Sequence, residues 1–304
     1  MVGKELNLKK LRLNNSGSTP VIIICSIIII LLFAALISDI GYAKYYQYKL
    51  DKMAEQSALL GAEGLIYGED DATKFIRTYI LSQNAELDRS NPVISKNGEV
   101  TVILKKKINY WFLSFFNIEE KIITSRSTAM LSPAVKVKGV RPFAVLKDTV
   151  QFEGTVFLFE NDYSNEQKNK FFITGYDGDN YLENITKGND DYTRVSDSLI
   201  KKKKYDPQTV VKSIGDLIKA SKEKDNNHSY SDDGKCTIII PVVEDNDEEK
   251  IYLKVAGFAA FILESAHYND EGVTLKGKFI KKTINSETRN SCEDFGLYGI
   301  NIIE

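Results

Sequence analysis

The sequence predicts an α+β protein. One N-terminal transmembrane helix leads into a helix-plus-antiparallel-sheet region, followed by a mostly β C-terminal part. Three observations carry that reading. From Pro20 to Ile37 the chain reads PVIIICSIIIILLFAALI, with no charge and Ser26 as its one polar side chain. Past this run, apolar and small residues recur at steps of three and four up to Gly64, the spacing of one helix face. Further on, short runs rich in Val, Ile and Thr alternate with polar stretches bearing Asp and Asn, the pattern of strands joined by loops.

The apolar run comes first. As a helix it rises about 27 Å, close to the roughly 30 Å hydrocarbon core of a bilayer. Lys4, Lys9, Lys10 and Arg12 precede it against Glu5 alone, and basic flanks stay on the cytoplasmic side. Residues 1–19 therefore read as a basic cytoplasmic tail and 20–43 as a single span of the cell membrane. Everything beyond reads as extracytoplasmic. A cleaved signal sequence would have a shorter apolar region, about 7–15 residues, ending in an A-x-A-like site. Ala34-Ala35-Leu36 matches such a site poorly, so an uncleaved anchor is expected. Asp39 lies near the outer end of the span. A charge there costs far less than the roughly 2.5–3.5 kcal/mol of a mid-membrane site, so it reads as an interfacial residue.

The helix is expected to continue through Tyr46, Leu50, Met53, Ser57 and Leu60. Ala54, Ala58 and Ala62 repeat every four residues, a ridge of small side chains that lets another element come close. Packing on the chain's own sheet and packing on another subunit's helix both fit that ridge. Glu69–Ser82 reads as a second helix, with Ala72, Phe75, Ile76, Tyr79 and Ile80 on one side. Glu99–Asn109 and Glu119–Leu131 read as strands. The segment between them, Tyr110-Trp111-Phe112-Leu113-Ser114-Phe115-Phe116, is the most aromatic stretch and holds the one Trp. Burial in a core suits it, and so does contact with the membrane surface or a partner. Pro133–Arg141 reads as a boundary between a first folded region, 44–132, and a second, 133–304. In the second, strands are expected at Val150–Glu160, Lys170–Thr174, Cys236–Val243, Lys250–Glu264, Val273–Thr283 and Leu297–Ile303, with a helix at Thr209–Lys224.

A net charge of −2 provides no basic field to draw nucleic acid, and none is expected as a partner. The two histidines, His228 and His267, and the three cysteines form no C-x-x-C or Cys/His cluster, so neither a metal nor a cofactor is expected. Cys25 lies in the span, whereas Cys236 and Cys292 lie where a disulfide can persist. If the strand opened by Cys236 neighbours the last strand, those two sulfurs would meet. Cys292 with His267 and Arg289 has the residue types of a sortase-like transpeptidase, but the segment Thr288-Arg289-Asn290-Ser291-Cys292 carries no such signature, and no enzymatic activity is expected. The acidic stretches Asp177–Asp179, Asp190–Asp191 and Glu244–Glu249 read as solvated loops. Counted from Asp177, the twelfth position, where a calcium loop needs Glu, is Gly188. Lys201–Lys204 reads as a solvated face.

Several segments together resemble the TadG-like proteins of tight-adherence (Tad, Flp-type) pilus systems. The span runs into Asp39-Ile40-Gly41-Tyr42, similar to the Asp-x-Gly that follows the family's anchor. In the segment from Leu50 to Ala62, the residues Leu50, Ala54, Ala58, Leu59, Gly61 and Ala62 match in register, with Glu55 for the usual Asp. Arg126-Ser127-Thr128-Ala129-Met130-Leu131 resembles the strand that ends the family's first domain. Ile240–Val243, Val255–Phe261 and Asp294–Gly299 resemble elements of its longer members. The likeness covers 17–132 and 236–304, and only loosely 145–235.

The resemblance implies that 44–132 is a pilin-like TadE/TadG-like region. It further implies a minor pilin or pseudopilin-like accessory protein, whose partners are the lipid bilayer, other Tad assembly components and minor pilins. Gly17 stands where a prepilin peptidase would cut. That enzyme usually takes Glu at the fifth residue of the product, and Ile22 stands there, so residues 1–17 are expected to be kept. The family's D-x-S-x-S adhesion motif is absent from the sequence. The other reading is a signal-anchored extracellular module that binds or senses a ligand.

Overall fold

The structure, a computed structural model, describes residues 18–83, 93–94, 97–160, 170–175, 180–225, 235–244, 251–270 and 272–303. Gly17 and the tail before it, Asp177, Asp179, His228 and residues 245–249 lie outside them. In chain order the helices are α1 (Ser18–Gly64), α2 (Glu69–Ser82), α3 (Tyr181–Lys187) and α4 (Pro207–Asp225). The strands are β1 (Val93–Ile94), β2 (Glu99–Asn109), β3 (Glu120–Val137), β4 (Phe143–Leu146), β5 (Val156–Phe159), β6 (Phe171–Gly175) and β7 (Thr193–Arg194). They continue with β8 (Ser198–Lys201), β9 (Thr237–Val243), β10 (Tyr252–Asn269), β11 (Gly272–Ile280), β12 (Lys282–Thr283), β13 (Glu287–Thr288) and β14 (Leu297–Ile302). The chain is thus α+β, with a long apolar N-terminal helix and a β-rich remainder.

Among the described residues α1 is the one helix long and apolar enough to cross a membrane. Its most apolar window has a mean hydropathy of 3.3 and is nowhere buried by the chain itself. The helix does not end with that window, because nothing in Ser38–Gly64 breaks it and its far half finds partners. Ala54, Ala58 and Ala62 are fully buried within the chain's own fold, which assigns the ridge to intramolecular packing. A Cβ on Gly61 would come within 2.6 Å of Ile76 Cδ1 and 2.8 Å of Val100 Cγ1, and one on Gly64 within 2.5 Å of the Ala72 Cα. These glycines set how closely the end of α1 lies against α2 and β2. Gly68, at φ 130°, makes the turn between the helices.

The chain forms two compact units, Met1–Ala54 with Glu86–Ser90 and Ile103–Ser125, and Glu55–Ala85 with Asn91–Val102 and Arg126–Glu304. This is not the division expected at Pro133. β3 runs through Pro133 to Val137, and β14 pairs antiparallel with Ala129–Pro133. Pro133 is the last residue in that register, where a missing N–H interrupts the ladder least. The C-terminal strand therefore completes a sheet begun before the expected boundary.

In the first unit the outer parts of β2 and β3 form a ribbon. Tyr110 N–H donates to Glu119 O at 2.9 Å where the strands part, and Lys107 pairs with Glu120 across it. Gln47 Nε2 of α1 donates to Thr124 O at 3.2 Å, and Lys106 lies 4.4 Å over the Tyr46 ring.

The second unit is built on two sheets. One has the order β1-β2-β3-β14-β12, with β13 and β7 also paired to β3. In the other, hydrogen bonds run β10-β8-β6-β4-β9 and return to β10, so the circuit closes, while β11 and β5 extend from β10. β4 is buried on both faces. Phe143 and Val145 join the main core beside Ile214 of α4 and Ile185 of α3, while Ala144 and Leu146 pack with Phe172, Val243 and Leu253. Val137, Leu199, Phe258 and Leu297 form a third cluster from strands of both sheets.

Two substitutions test the packing of α1. Ala favours a helix over Gly by about 0.5–1 kcal/mol, yet Gly64→Ala should lower the melting temperature, because the new Cβ meets backbone. Ala58→Leu should cost about 1–3 kcal/mol by overpacking. Thermal unfolding of the detergent-solubilised protein reads both. A melting temperature unchanged in both variants would show that the ridge faces away from the protein's own core.

Candidate functional site

The described residues of the first unit converge on Asp39. It lies two residues past Ile37 and is only 6 % exposed. One carboxylate oxygen accepts the Trp111 N–H at 3.2 Å, and the other accepts Phe112 N–H at 2.7 Å and Leu113 N–H at 2.8 Å. These amides open a 3-10 turn, Leu113–Phe116, which has no side-chain cap of its own. The first N–H groups of a helical turn have no partner within it, and here α1 supplies the acceptor. Hydrogen bonds to a charged group each contribute about 1.5–3 kcal/mol, so three on one carboxylate hold the loop firmly. Asn117, left-handed at φ 62°, closes the turn, with Ile118 N–H donating to Leu113 O at 3.2 Å.

With the backbone held by Asp39, the rings point out. Trp111 is 86 % exposed and Phe115 83 %, and Phe116, Ile118 and Ile122 are exposed beside them. Phe112 packs its ring 5.7 Å from that of Phe116. A groove of about 550 Å³ is lined by Ala35, Ser38 and Tyr42 of α1 and by Trp111, Phe112 and Phe115. The lining is apolar apart from Ser38, the Tyr42 hydroxyl and Asp39, and the side chains of Trp111, Phe112 and Phe115 hold no group that could act as acid, base or nucleophile.

A second feature lies in the other unit. Arg141 Nε and Asn189 Nδ2 are buried without a partner and line a cavity of about 20 Å³, room for roughly one water. Burial pushes the Arg141 guanidinium below its usual value, against a smaller opposing influence from Cys236. The space is too small for a substrate.

The remaining candidates are scattered. Cys236 and Cys292 are not bridged. Cys236 stands at the head of β9, which pairs with β10 and β4, whereas Cys292 follows β13 and the last strand pairs with β3 and β12. The neighbouring strands that a bridge required lie in different sheets. His267 sits on β10 opposite Thr274, and Arg289 lies near Cys292 after β13, so the sortase-like residue types are divided between the two sheets. Asp190 and Asp191 are exposed, and Glu244 pairs with Lys254 at 3.7 Å. Lys201 lies 4.6 Å over the Phe172 ring. Among the described residues no group of three or more His, Cys, Asp and Glu could hold a metal ion.

Sequence reasoning singled out Asp39 and the aromatic stretch separately and missed that one holds the other. No periodicity joins residues so far apart in the chain. The available signal was a lone carboxylate at the edge of an apolar run, which needs donors from somewhere. Compared with known proteins, the chain matches no family model, no curated protein and no solved structure.

Asp39→Ala removes the acceptor of three amides and should free the loop. Limited chymotrypsin digestion of the solubilised protein should then cut within residues 110–116 much faster than in wild type, with the second unit's fragments unchanged. Equal cleavage in both proteins would show that other contacts hold the loop.

Proposed function

We propose that this chain is a membrane-anchored structural protein of a Tad/Flp pilus system, a TadG-like minor pilin or pseudopilin-like assembly factor. It acts by anchoring and packing rather than by catalysis. The observation that carries this reading is α1. One helix starts as a candidate membrane span and continues, by way of small residues, onto a second helix and β2, which agrees with the helix and antiparallel sheet that the resemblance implies. The segments that resemble TadG-like proteins support it, because the matched residues Ala54, Ala58, Gly61 and Ala62 are those that make this packing possible. The basic tail supports a cytoplasmic N-terminus and an extracytoplasmic remainder.

Since the alanine ridge is used within the chain, contacts to other pilus subunits fall to exposed residues of α1 such as Tyr45 and Tyr48. A photo-crosslinking amino acid at position 48 in living cells should capture a pilin-type partner, and one at Ala58 should not. Deleting the gene should abolish or sharply reduce surface pili, and protease added to intact protoplasts should digest the C-terminal part. Normal piliation in the deletion strain, or full protection of that part, contradicts the proposal.

A further inference from the structure

We infer that the loop Trp111–Phe116 is a second membrane attachment, inserted into the leaflet nearest the folded part of the chain and packed against lipid acyl chains. The inference rests on α1 being a membrane span and names the lipid as partner of the site held by Asp39.

Depth comes first. The apolar run ends at Ile37. At about 1.5 Å per residue, Asp39 stands roughly 3 Å beyond that end and Ala35 roughly 3 Å inside it. The loop backbone is hydrogen-bonded at the level of Asp39. Yet Trp111, Phe112 and Phe115 line the same groove as Ala35. The rings therefore extend from the headgroup level down beside the apolar run. A bilayer that covers that run covers the groove as well, and acyl chains fill it. Tyr42, exposed on the same stretch of α1, adds to the aromatic belt found where membranes meet water.

The polarity of the loop agrees. A segment can enter a medium without water only if its backbone groups find partners. Asp39 takes the N–H groups of Trp111, Phe112 and Leu113, while those of Tyr110, Phe115, Asn117 and Ile118 bond to Glu119, Phe112, Ser114 and Leu113 carbonyls. Ser114 Oγ donates to Trp111 O at 2.6 Å. Trp111, Phe115, Phe116, Ile118 and Ile122 face outward as apolar surface that water covers poorly, with Asn117, Glu119, Glu120 and Lys121 also exposed beside them.

Trp111 is the one tryptophan, so its fluorescence reports this loop alone. The whole chain, reconstituted into phosphatidylcholine and phosphatidylglycerol vesicles, should emit at shorter wavelength than in denaturant and resist quenching by iodide. Phosphatidylcholine brominated near the carbonyl end of its acyl chains should remove most of the emission, and lipid brominated near the chain ends less. Strong iodide quenching with no effect of brominated lipid overturns the inference and leaves the span in place. Shielding from both quenchers also overturns it and assigns the patch to a protein contact, such as a second copy. If alkaline carbonate strips the chain from the vesicles, the span reading fails and takes the inference with it.

Discussion

A carboxylate two residues past a candidate membrane span needs hydrogen-bond donors, and in this protein the backbone supplies them. Asp39 accepts three consecutive amides, so α1 and the loop between β2 and β3 are joined where the apolar run gives way to a mixed surface. The join fixes which way the ribbon of β2 and β3 leaves its turn, and it turns the rings of Trp111 and Phe115 outward. Without the acceptor, three N–H groups would be left to compete for water beside an apolar patch. Each hydrogen bond to a charged group contributes about 1.5–3 kcal/mol, so losing three favours opening of the loop.

Further along, α1 follows a different rule. Its contacts are made by what the side chains lack. Gly61 and Gly64 leave room for Ile76, Val100 and the backbone of Ala72, and three alanines at helical spacing vanish into the fold. One helix thus carries two kinds of surface. Large aliphatic residues up to Ile37 are exposed, as in a candidate membrane span, and small residues from Ala54 onward admit a neighbour. The anchoring and packing role proposed above rests on these two surfaces of α1.

Much of this was legible in the sequence wherever the signal was local. The apolar run and the steps of three and four through Gly64 define α1, and α2 was expected at Glu69–Ser82, where it lies. β2, β9, α4 and β14 fall within a residue or two of their expected ends, because each is a Val- and Ile-rich or 3.6-periodic run bounded by polar residues. β4 was missed since Phe143–Leu146 is buried on both faces and so shows no alternation. α3 was lost between acidic stretches read as solvated loops, where a turn or two gives little periodicity, and β8 had no reading of its own. β3 runs through the expected boundary at Pro133, because a proline at the end of a register does not stop a strand. The condition set for a disulfide, neighbouring strands, depended on strand order, a long-range property, and β9 and β14 belong to different sheets. The site was half legible. Its two parts were visible, and the contact between them was not.

Amide hydrogen exchange at Trp111, Phe112 and Leu113 tests the join most directly, measured on the whole protein in nanodiscs against Asp39→Asn. In wild type these amides should exchange as slowly as the strand amides of the adjoining ribbon, and the substitution should speed them while leaving β9 and β10 protected. Rapid exchange at all three positions in wild type, with β2 and β3 still protected, would contradict it.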